Sequence, residues 1–172
     1  MIYAGKDLAN AFRTVRKNTL AVAKDIPADK YDFRATPDTR TVGETLAHIC
    51  ANTRWVHRAH GVDKKTFITL EDFGKYIGDA NAYASSLTGH AAIVKALESD
   101  GEAFAAWLGS LSDATLAEMV GFPAPLAPPQ KTRFEMLLGV KEHEMHHRAQ
   151  LMLIQRMLGV VPHLTRQRQA RS

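Results

Sequence analysis

Three histidines carry the strongest chemical signal in this sequence. His143 and His147 are four residues apart in a segment with helical periodicity, so their side chains lie one turn apart on the same helix face. Two imidazoles with this spacing can bind the same metal ion. His48 lies far earlier in the chain, beside Leu46 and Ile49 of an apolar helical stripe, which directs its imidazole inward. Together the three histidines predict one divalent metal ion inside the protein.

The segment around His143 and His147 interrupts an otherwise apolar helical seam. This seam is apolar at both ends and polar in the middle, and its members are Leu137, Val140, Glu144, His147, Leu151, Ile154 and Leu158. Burying a polar group without a partner costs roughly 1–3 kcal/mol, so the polar middle needs a compensating partner. A metal ion supplies one. Glu144 is a candidate catalytic base or ligand-orienting group, and a solvent-facing or supporting carboxylate is the alternative.

The other histidines are expected to lie outside the metal site. His57 and His60 point away from His48, by about 180° and 120° around the helix axis, and are predicted to be surface residues. His146 is a candidate supporting donor or wall of the site. Cys50 lies on a different face from His48 and is predicted to fill core space.

The composition bounds the class of protein. The chain has 172 residues, 45% of them hydrophobic, which fits one globular domain with its own core. The net charge of +4 is concentrated at the C-terminus, in Arg166, Arg168 and Arg171, so the rest is near neutral and no nucleic-acid partner is expected. A single cysteine, no export signal and no apolar run of membrane-spanning length favour a cytoplasmic protein without a membrane partner.

Four helical segments must position the histidines. The first carries an apolar stripe from Leu8 to Ile26, and the second begins at a capping box formed by Thr41 and Glu44. The third begins near Thr88; the fourth runs from a second capping box, residues 132–135, to Gly159. Residues 61–87 form a long connection with room for a short helix from Thr69, and no strand of useful length is expected.

These elements predict an all-α domain, an antiparallel four-helix bundle with a long crossover connection between helices two and three. The bundle is expected to span residues 1–162. Residues 163–172, beginning with His163, are expected to form a flexible basic tail.

The sequence resembles the DinB (damage-inducible) family, which is related to the YfiT-like metal-dependent hydrolases and thiol transferases. The resemblance rests on residues 41–49 around His48 and residues 143–151 around the histidine pair, with further similarity at residues 18–20, 31–34 and 156–160. It implies a four-helix bundle, usually a homodimer, with a divalent metal ion on His48, His143 and His147. One departure is Ala149, where the family often has glycine.

An open three-histidine site leaves a coordination position for water or a thiol, whose pKa the metal lowers. Relatives that use bacillithiol or mycothiol favour a low-molecular-weight-thiol S-transferase, with a small-molecule thiol and an electrophilic substrate as its partners. A metal-dependent hydrolase that activates water is one alternative, and a non-enzymatic, stress-associated metal-binding bundle is another. Imidazole ligands suit zinc, nickel and iron alike, so the sequence does not choose the metal.

Overall fold

The computed structural model describes residues 3–171, and this part of the chain is predominantly helical. Its seven α-helices are α1 (Gly5–Asp25), α2 (Val42–His57), α3 (Leu70–Ser86), α4 (Gly89–Ser110), α5 (Asp113–Ala117), α6 (Arg133–Met157) and α7 (His163–Gln169). Two short strands, β1 (Met119–Gly121) and β2 (Gln130–Thr132), lie between α5 and α6. Within residues 3–171, no helix combines the length and apolar character needed to cross a membrane.

The capping boxes predicted for the two histidine-bearing helices are present. The hydroxyl of Thr41 accepts a hydrogen bond from the backbone N–H of Glu44 at 3.1 Å, and the Glu44 carboxylate accepts one from the Thr41 N–H at 2.7 Å. Thr132 and Glu135 form the same pair of contacts at the start of α6. These contacts satisfy N–H groups that the first helical turn leaves free, which fixes where α2 and α6 begin.

The predicted apolar stripes are the buried faces of their helices. Every predicted stripe residue of α1 and α2 is buried, and the seam of α6 is buried from Leu137 to Ile154. Helix α1 packs against α4 and α6, and α2 packs against α3, α4 and α6. Because α2 and α6 are neighbours, the inward face that carries His48 meets the polar middle of α6.

The connection between the second and third predicted helices contains far more structure than expected. Helix α3 is 17 residues long and begins after Thr69, whose side chain accepts a hydrogen bond from the N–H of Asp72. Only Tyr76 and Ala80 of this helix are buried. The buried stripe is narrow, and Gly74 and Gly78 within the helix have low helix propensity, which explains why the sequence predicted only a short helix there.

No strand of useful length was expected, and the described residues contain one small hairpin whose two strands are three residues long. Strands β1 and β2 pair antiparallel, with Val120 opposite Lys131. They flank the proline-rich segment that precedes α6. Three residues are too few to show the alternation by which a strand is recognised in a sequence.

The C-terminal residues expected to form a flexible tail include the short helix α7. His163, at its start, is buried, and its Nε2 lies 3.2 Å from the Asn18 side-chain oxygen. Arg166 forms an ion pair with Asp25 at 2.8 Å. These contacts attach residues 163–166 to α1, so the predicted position of His163 in a frayed end was wrong. The predicted domain boundary at residue 162 stays a prediction, and Met1, Ile2 and Ser172 lie outside the described residues.

Candidate metal centre

The three predicted histidines meet at one point between α2 and α6. The Nε2 atom of His143 lies 3.0 Å from Nε2 of His48 and 3.2 Å from Nε2 of His147. One ring nitrogen from each histidine lies within 4.8 Å of the other two, so this group could hold a metal ion. The sequence therefore identified the right three side chains for a cluster that forms only in the folded chain.

Hydrogen bonds alone do not account for these short contacts. A neutral imidazole nitrogen carries either one proton or one lone pair, so Nε2 of His143 can make one good hydrogen bond with its neighbours and not two. A cation between the three nitrogens would satisfy all three lone pairs. Metal–nitrogen bonds of about 2.0–2.1 Å place neighbouring ligand nitrogens about 2.9–3.4 Å apart, for angles between a right angle and the tetrahedral angle. The two spacings from His143 fit this range, and all three ring nitrogens lie within 4.8 Å of one another.

A second contact orients His147 for metal binding. Its Nδ1 lies 2.8 Å from Oε1 of Gln150. Because an amide oxygen only accepts, Nδ1 must carry the proton, which leaves the Nε2 lone pair directed toward His48 and His143. The amide nitrogen of Gln150 lies 3.2 Å from Nε2 of His146, so Gln150 is held from its other side as well.

The protonation states also suit a metal site. Burial lowers the pKa of His48 to about 4, with smaller contributions from the charges of Arg40, His143 and His147. Burial likewise lowers the pKa of His143 to about 4 and lowers that of His147. All three imidazoles are therefore neutral near pH 7, the form that binds metal ions.

His143 shows a further sign of an incomplete environment. Its Nδ1 atom is buried and has no hydrogen-bond partner within residues 3–171. A proton on Nδ1 would leave Nε2 free to bind a metal ion. A metal ion on Nε2 would fix the proton on Nδ1 but would not supply the partner that Nδ1 lacks.

Glu144 lies next to the histidines in sequence but points to a different partner. Both of its carboxylate oxygens accept hydrogen bonds from Arg16 of α1, at 2.9–3.1 Å, and both side chains are almost fully buried. Arg16 also donates to the carbonyl oxygen of Leu97 on α4 at 2.8 Å. A carboxylate bound in this way favours the supporting role over that of a catalytic base.

Arg16 was missed from the sequence because its signal is weak. It follows Val15 on the predicted stripe of α1 and looks like an ordinary solvent-facing residue. Space for its side chain comes from Gly101 of α4, since a Cβ atom there would lie 2.8 Å from an Arg16 guanidinium nitrogen. The pairing of residues 16 and 144 depends on tertiary packing and not on local spacing.

The prediction that His60 is a surface residue was wrong. Only 3% of His60 is exposed, and its Nδ1 accepts a hydrogen bond from the buried guanidinium of Arg133 at 2.9 Å. The predicted angle assumed α-helical geometry, whereas Arg58–Val62 is a π-helical turn that changes the angle per residue. His57 is half-buried against the ring of Trp107.

Two other predictions near the site can be compared with the structure. His146 is exposed, and its ring lies 4.9 Å from that of His147, which fits a supporting position. Cys50 is fully buried, and burial raises its pKa to about 12, so it remains a thiol near neutral pH. The prediction that Cys50 fills core space is confirmed.

The helical fold and the three inward histidines together define this chain as a candidate metal-binding helical protein. The family model described as the DinB superfamily matches residues 11–151, a range that contains all three histidines. The chain belongs to the DinB superfamily. No curated protein matched the chain.

Proposed function

We propose that this member of the DinB superfamily is a divalent-metal-dependent enzyme whose metal ligands are His48, His143 and His147. The convergence of three neutral imidazoles carries the proposal, because Nε2 of His143 can form only one good hydrogen bond although it has two close neighbours. Three ligands also differ from the four that close a structural zinc site. This difference favours a catalytic centre over a purely structural one.

The proposed architecture is an antiparallel four-helix bundle of α1, α2, α4 and α6. In this interpretation α3 belongs to the long crossover between α2 and α4, and it covers part of α2. Ligands from two facing helices of a bundle form a site in its interior, where surrounding side chains limit access by water. The packing of α2 against α6 supports this arrangement.

The activity that we propose, on the resemblance to relatives that use bacillithiol or mycothiol, is transfer of a low-molecular-weight thiol to an electrophilic substrate. His48, His143 and His147 would hold a divalent ion, which would lower the pKa of a thiol beside it so that the thiolate would exist near neutral pH. The sulfur would then form a bond to the electrophilic atom while the leaving group departs with its electron pair, and the thiol proton would pass to solvent. Cys50 is excluded as the nucleophile by its burial and raised pKa.

The residues around the three imidazoles have defined tasks in this proposal. Gln150 keeps the proton of His147 on Nδ1, which leaves Nε2 available as a ligand. Glu144 and Arg16 attach the ligand-bearing turn of α6 to α1. Positions fixed in this way reduce the reorganisation needed when the metal ion and substrate bind.

Cobalt(II) substitution tests the proposal directly. Coordination of a thiolate to cobalt adds a charge-transfer band in the near ultraviolet, which oxygen and nitrogen ligands do not give. We expect this band with small thiols, its loss in His48→Ala and its retention in Cys50→Ser. Absence of the band together with cleavage of an ester or amide would identify a hydrolase. A protein that holds its metal but gives neither band nor turnover would be a non-enzymatic metal-binding bundle.

A further inference from the structure

A hollow of about 400 Å³ adjoins the candidate metal centre. His48 and Ala47 of α2 form one wall, and Asn81 and Ser85 of α3 form another. Arg40, from the segment that precedes α2, also lines it. Since the hollow reaches a proposed ligand, a molecule bound at the metal centre can extend into it.

Arg40 is the charged group of this hollow without a protein partner. Within residues 3–171 its guanidinium forms no hydrogen bond or ion pair, whereas Arg34 lies 3.8 Å from the Glu44 carboxylate and also donates to a backbone carbonyl oxygen. Arg40 lies close enough to the centre for its charge to act on His48 and His143, where it adds to the larger effect of burial in lowering the pKa. A free guanidinium beside a metal centre attracts an anion.

The acidic residues of the hollow already have partners. One carboxylate oxygen of Glu44 accepts the backbone N–H of Thr41 at 2.7 Å, as part of the capping box. Asp38 accepts the hydroxyl of Thr36 at 2.6 Å. Neither acid forms an ion pair with Arg40, so this guanidinium can bind a carboxylate from outside the protein.

We infer that Arg40 binds a carboxylate group of the substrate thiol, so that the preferred thiol of this protein is anionic. This inference rests on the proposed function, since it places the sulfur at the metal centre and the carboxylate in the hollow. The guanidinium fork matches a carboxylate with two parallel hydrogen bonds. Arg40 is therefore a specificity-determining residue and not a catalytic one.

The test compares two thiols with the same two-methylene spacer on the cobalt-loaded protein, 3-mercaptopropionate and the neutral 2-mercaptoethanol. Titration of the near-ultraviolet band gives a dissociation constant for each. We expect the unmodified protein to bind the carboxylate-bearing thiol about 3- to 10-fold more tightly, with a preference that weakens as salt is added. Arg40→Gln should remove this preference, with a much smaller effect on 2-mercaptoethanol binding than on 3-mercaptopropionate binding. Arg13→Gln, at an exposed arginine on α1, is the matched control.

The outcomes separate this inference from the proposed function. The role of Arg40 is overturned if the unmodified protein and Arg40→Gln prefer 3-mercaptopropionate equally, or if neither protein prefers it. In both cases the proposed thiol site stands. If no thiol gives the band, the proposed function fails, and calorimetric titration with succinate then tests Arg40 alone. Succinate binding that Arg40→Gln weakens supports a carboxylate site, and equal or absent binding in both proteins overturns it.

A second, independent observation concerns the outer face of α6. Met145, Ala149, Leu153 and Met157 follow one another at intervals of four residues and form one ridge, which we call the α6 apolar ridge. Its large members are exposed, by 41% for Met145, 62% for Leu153 and 52% for Met157. A contiguous row of exposed apolar side chains on one helix is typical of a protein–protein contact.

The α6 apolar ridge is complementary to a second copy of itself. When two α6 helices pack antiparallel with Ala149 at the crossing, Met145 faces Leu153 of the second copy, because both are four residues from Ala149. Glu142 then faces Arg156 of the second copy, because both are seven residues from Ala149. The small side chain of Ala149 allows the two helices to approach closely, and ridges spaced by four residues interdigitate well.

The family resemblance already predicts a homodimer, and we infer that its interface is the α6 apolar ridge. Trp55 and Trp107 are partly buried against the protein's own core, so they offer less free area than the ridge. A two-fold interface needs a self-complementary surface, and the pairing of apolar and opposite-charge positions about Ala149 provides one. The interface also includes His146 and Gln150, which support His147.

Sedimentation equilibrium at micromolar concentration tests this interface. The full chain should have twice the 19.0 kDa chain mass. Leu153→Glu should weaken the dimer at least about 100-fold, because it buries a charge at the centre of the contact. Leu70→Glu, at a similarly exposed leucine on α3, is the control and should leave the mass unchanged.

A charge exchange locates the contact more sharply. Glu142→Arg should weaken the dimer, and adding Arg156→Glu should restore it, because opposite charges face each other again. A 19.0 kDa particle for the unmodified chain would overturn the dimer. A dimer that persists in Leu153→Glu, or that the double exchange does not restore, would overturn this interface.

Discussion

Helix α6 contributes to two inward-facing polar clusters that begin one residue apart and differ in how their polar atoms are satisfied. In the first, the Glu144 carboxylate and the Arg16 guanidinium share three hydrogen bonds of 2.9–3.1 Å. In the second, His143 lies 3.0 Å from His48 and 3.2 Å from His147, with too few protons for good hydrogen bonds. The first cluster is complete within the protein, and the second becomes complete with a cation.

The degree of burial does not show which cluster supports the fold and which one binds a ligand. The hydrogen bonds available within the protein make this distinction. The ion pair is neutral as a unit and holds three helices together through Arg16, Glu144 and the Leu97 carbonyl oxygen. The three imidazoles are neutral and can accept a divalent cation without further charge compensation from the protein. Breaking the first cluster should therefore destabilise the fold, whereas breaking the second should remove the metal ion.

The largest expected effect on stability comes from breaking the ion pair on one side. Arg16→Met should lower the free energy of unfolding by about 3–5 kcal/mol, because Glu144 stays buried without its partner. Arg16→Met combined with Glu144→Leu should recover much of this loss, since no unpaired charge remains. Urea denaturation of the metal-free proteins measures both values. A double variant as unstable as the single one would contradict the view of a self-contained ion pair.

A smaller effect is expected at His60, a buried histidine that does have a protein partner. Burial lowers its pKa to about 4, from an ordinary value of 6.5, and the Arg133 charge adds to the shift. The unfolded chain therefore binds the proton more readily than the folded one. The contribution of neutral His60 to stability is complete above about pH 6.5 and is lost as the pH falls toward 4, by up to about 3 kcal/mol.

Denaturation of the metal-free protein between pH 4 and 7, compared with His60→Gln, checks this expectation. The variant should lose less stability than the unmodified protein as the pH falls, because one protonation site is gone. The pH range is the one over which the His60 pKa differs between the folded and unfolded states. Parallel pH profiles for the two proteins would show that His60 is not held neutral by the fold.

The smallest expected effect concerns the side chain that orients His147. Gln150→Leu removes the acceptor for the Nδ1 proton and should weaken metal binding about 10- to 100-fold, with little change in stability, since Gln150 is exposed. Competition with a chromophoric chelator measures the affinity. Gln130→Leu, at an exposed glutamine on β2, is the matched control. An unchanged affinity in Gln150→Leu would assign this contact to surface packing alone.

The predictable parts of the molecule are those that local spacing determines. The stripes of α1 and α2 and the boxes at Thr41 and Thr132 depend on neighbours within a few residues, and the structure confirms them. The histidine cluster was predictable because its three members lie on or beside these stripes. Once two amphipathic helices pack together, side chains from their inner faces must meet.

The parts that were missed depend on tertiary packing or on irregular backbone. Arg16 and Glu144 are 128 residues apart, and no local pattern pairs them. His60 is buried because a π-helical turn changes its direction, which an angle calculated for an α-helix does not include. Arg40 lies in an irregular segment before α2, where periodicity provides no orientation.

The most direct test of the metal centre is elemental analysis of the protein purified without chelator, alongside His143→Ala, His147→Ala and the control His57→Ala. We expect about one equivalent of divalent metal in the unmodified protein and in the control, because three imidazoles suffice for a site with an open position. Each of the other two variants should lose most of the metal while remaining helical by circular dichroism. Unchanged metal content in both His143→Ala and His147→Ala would contradict the three-histidine centre.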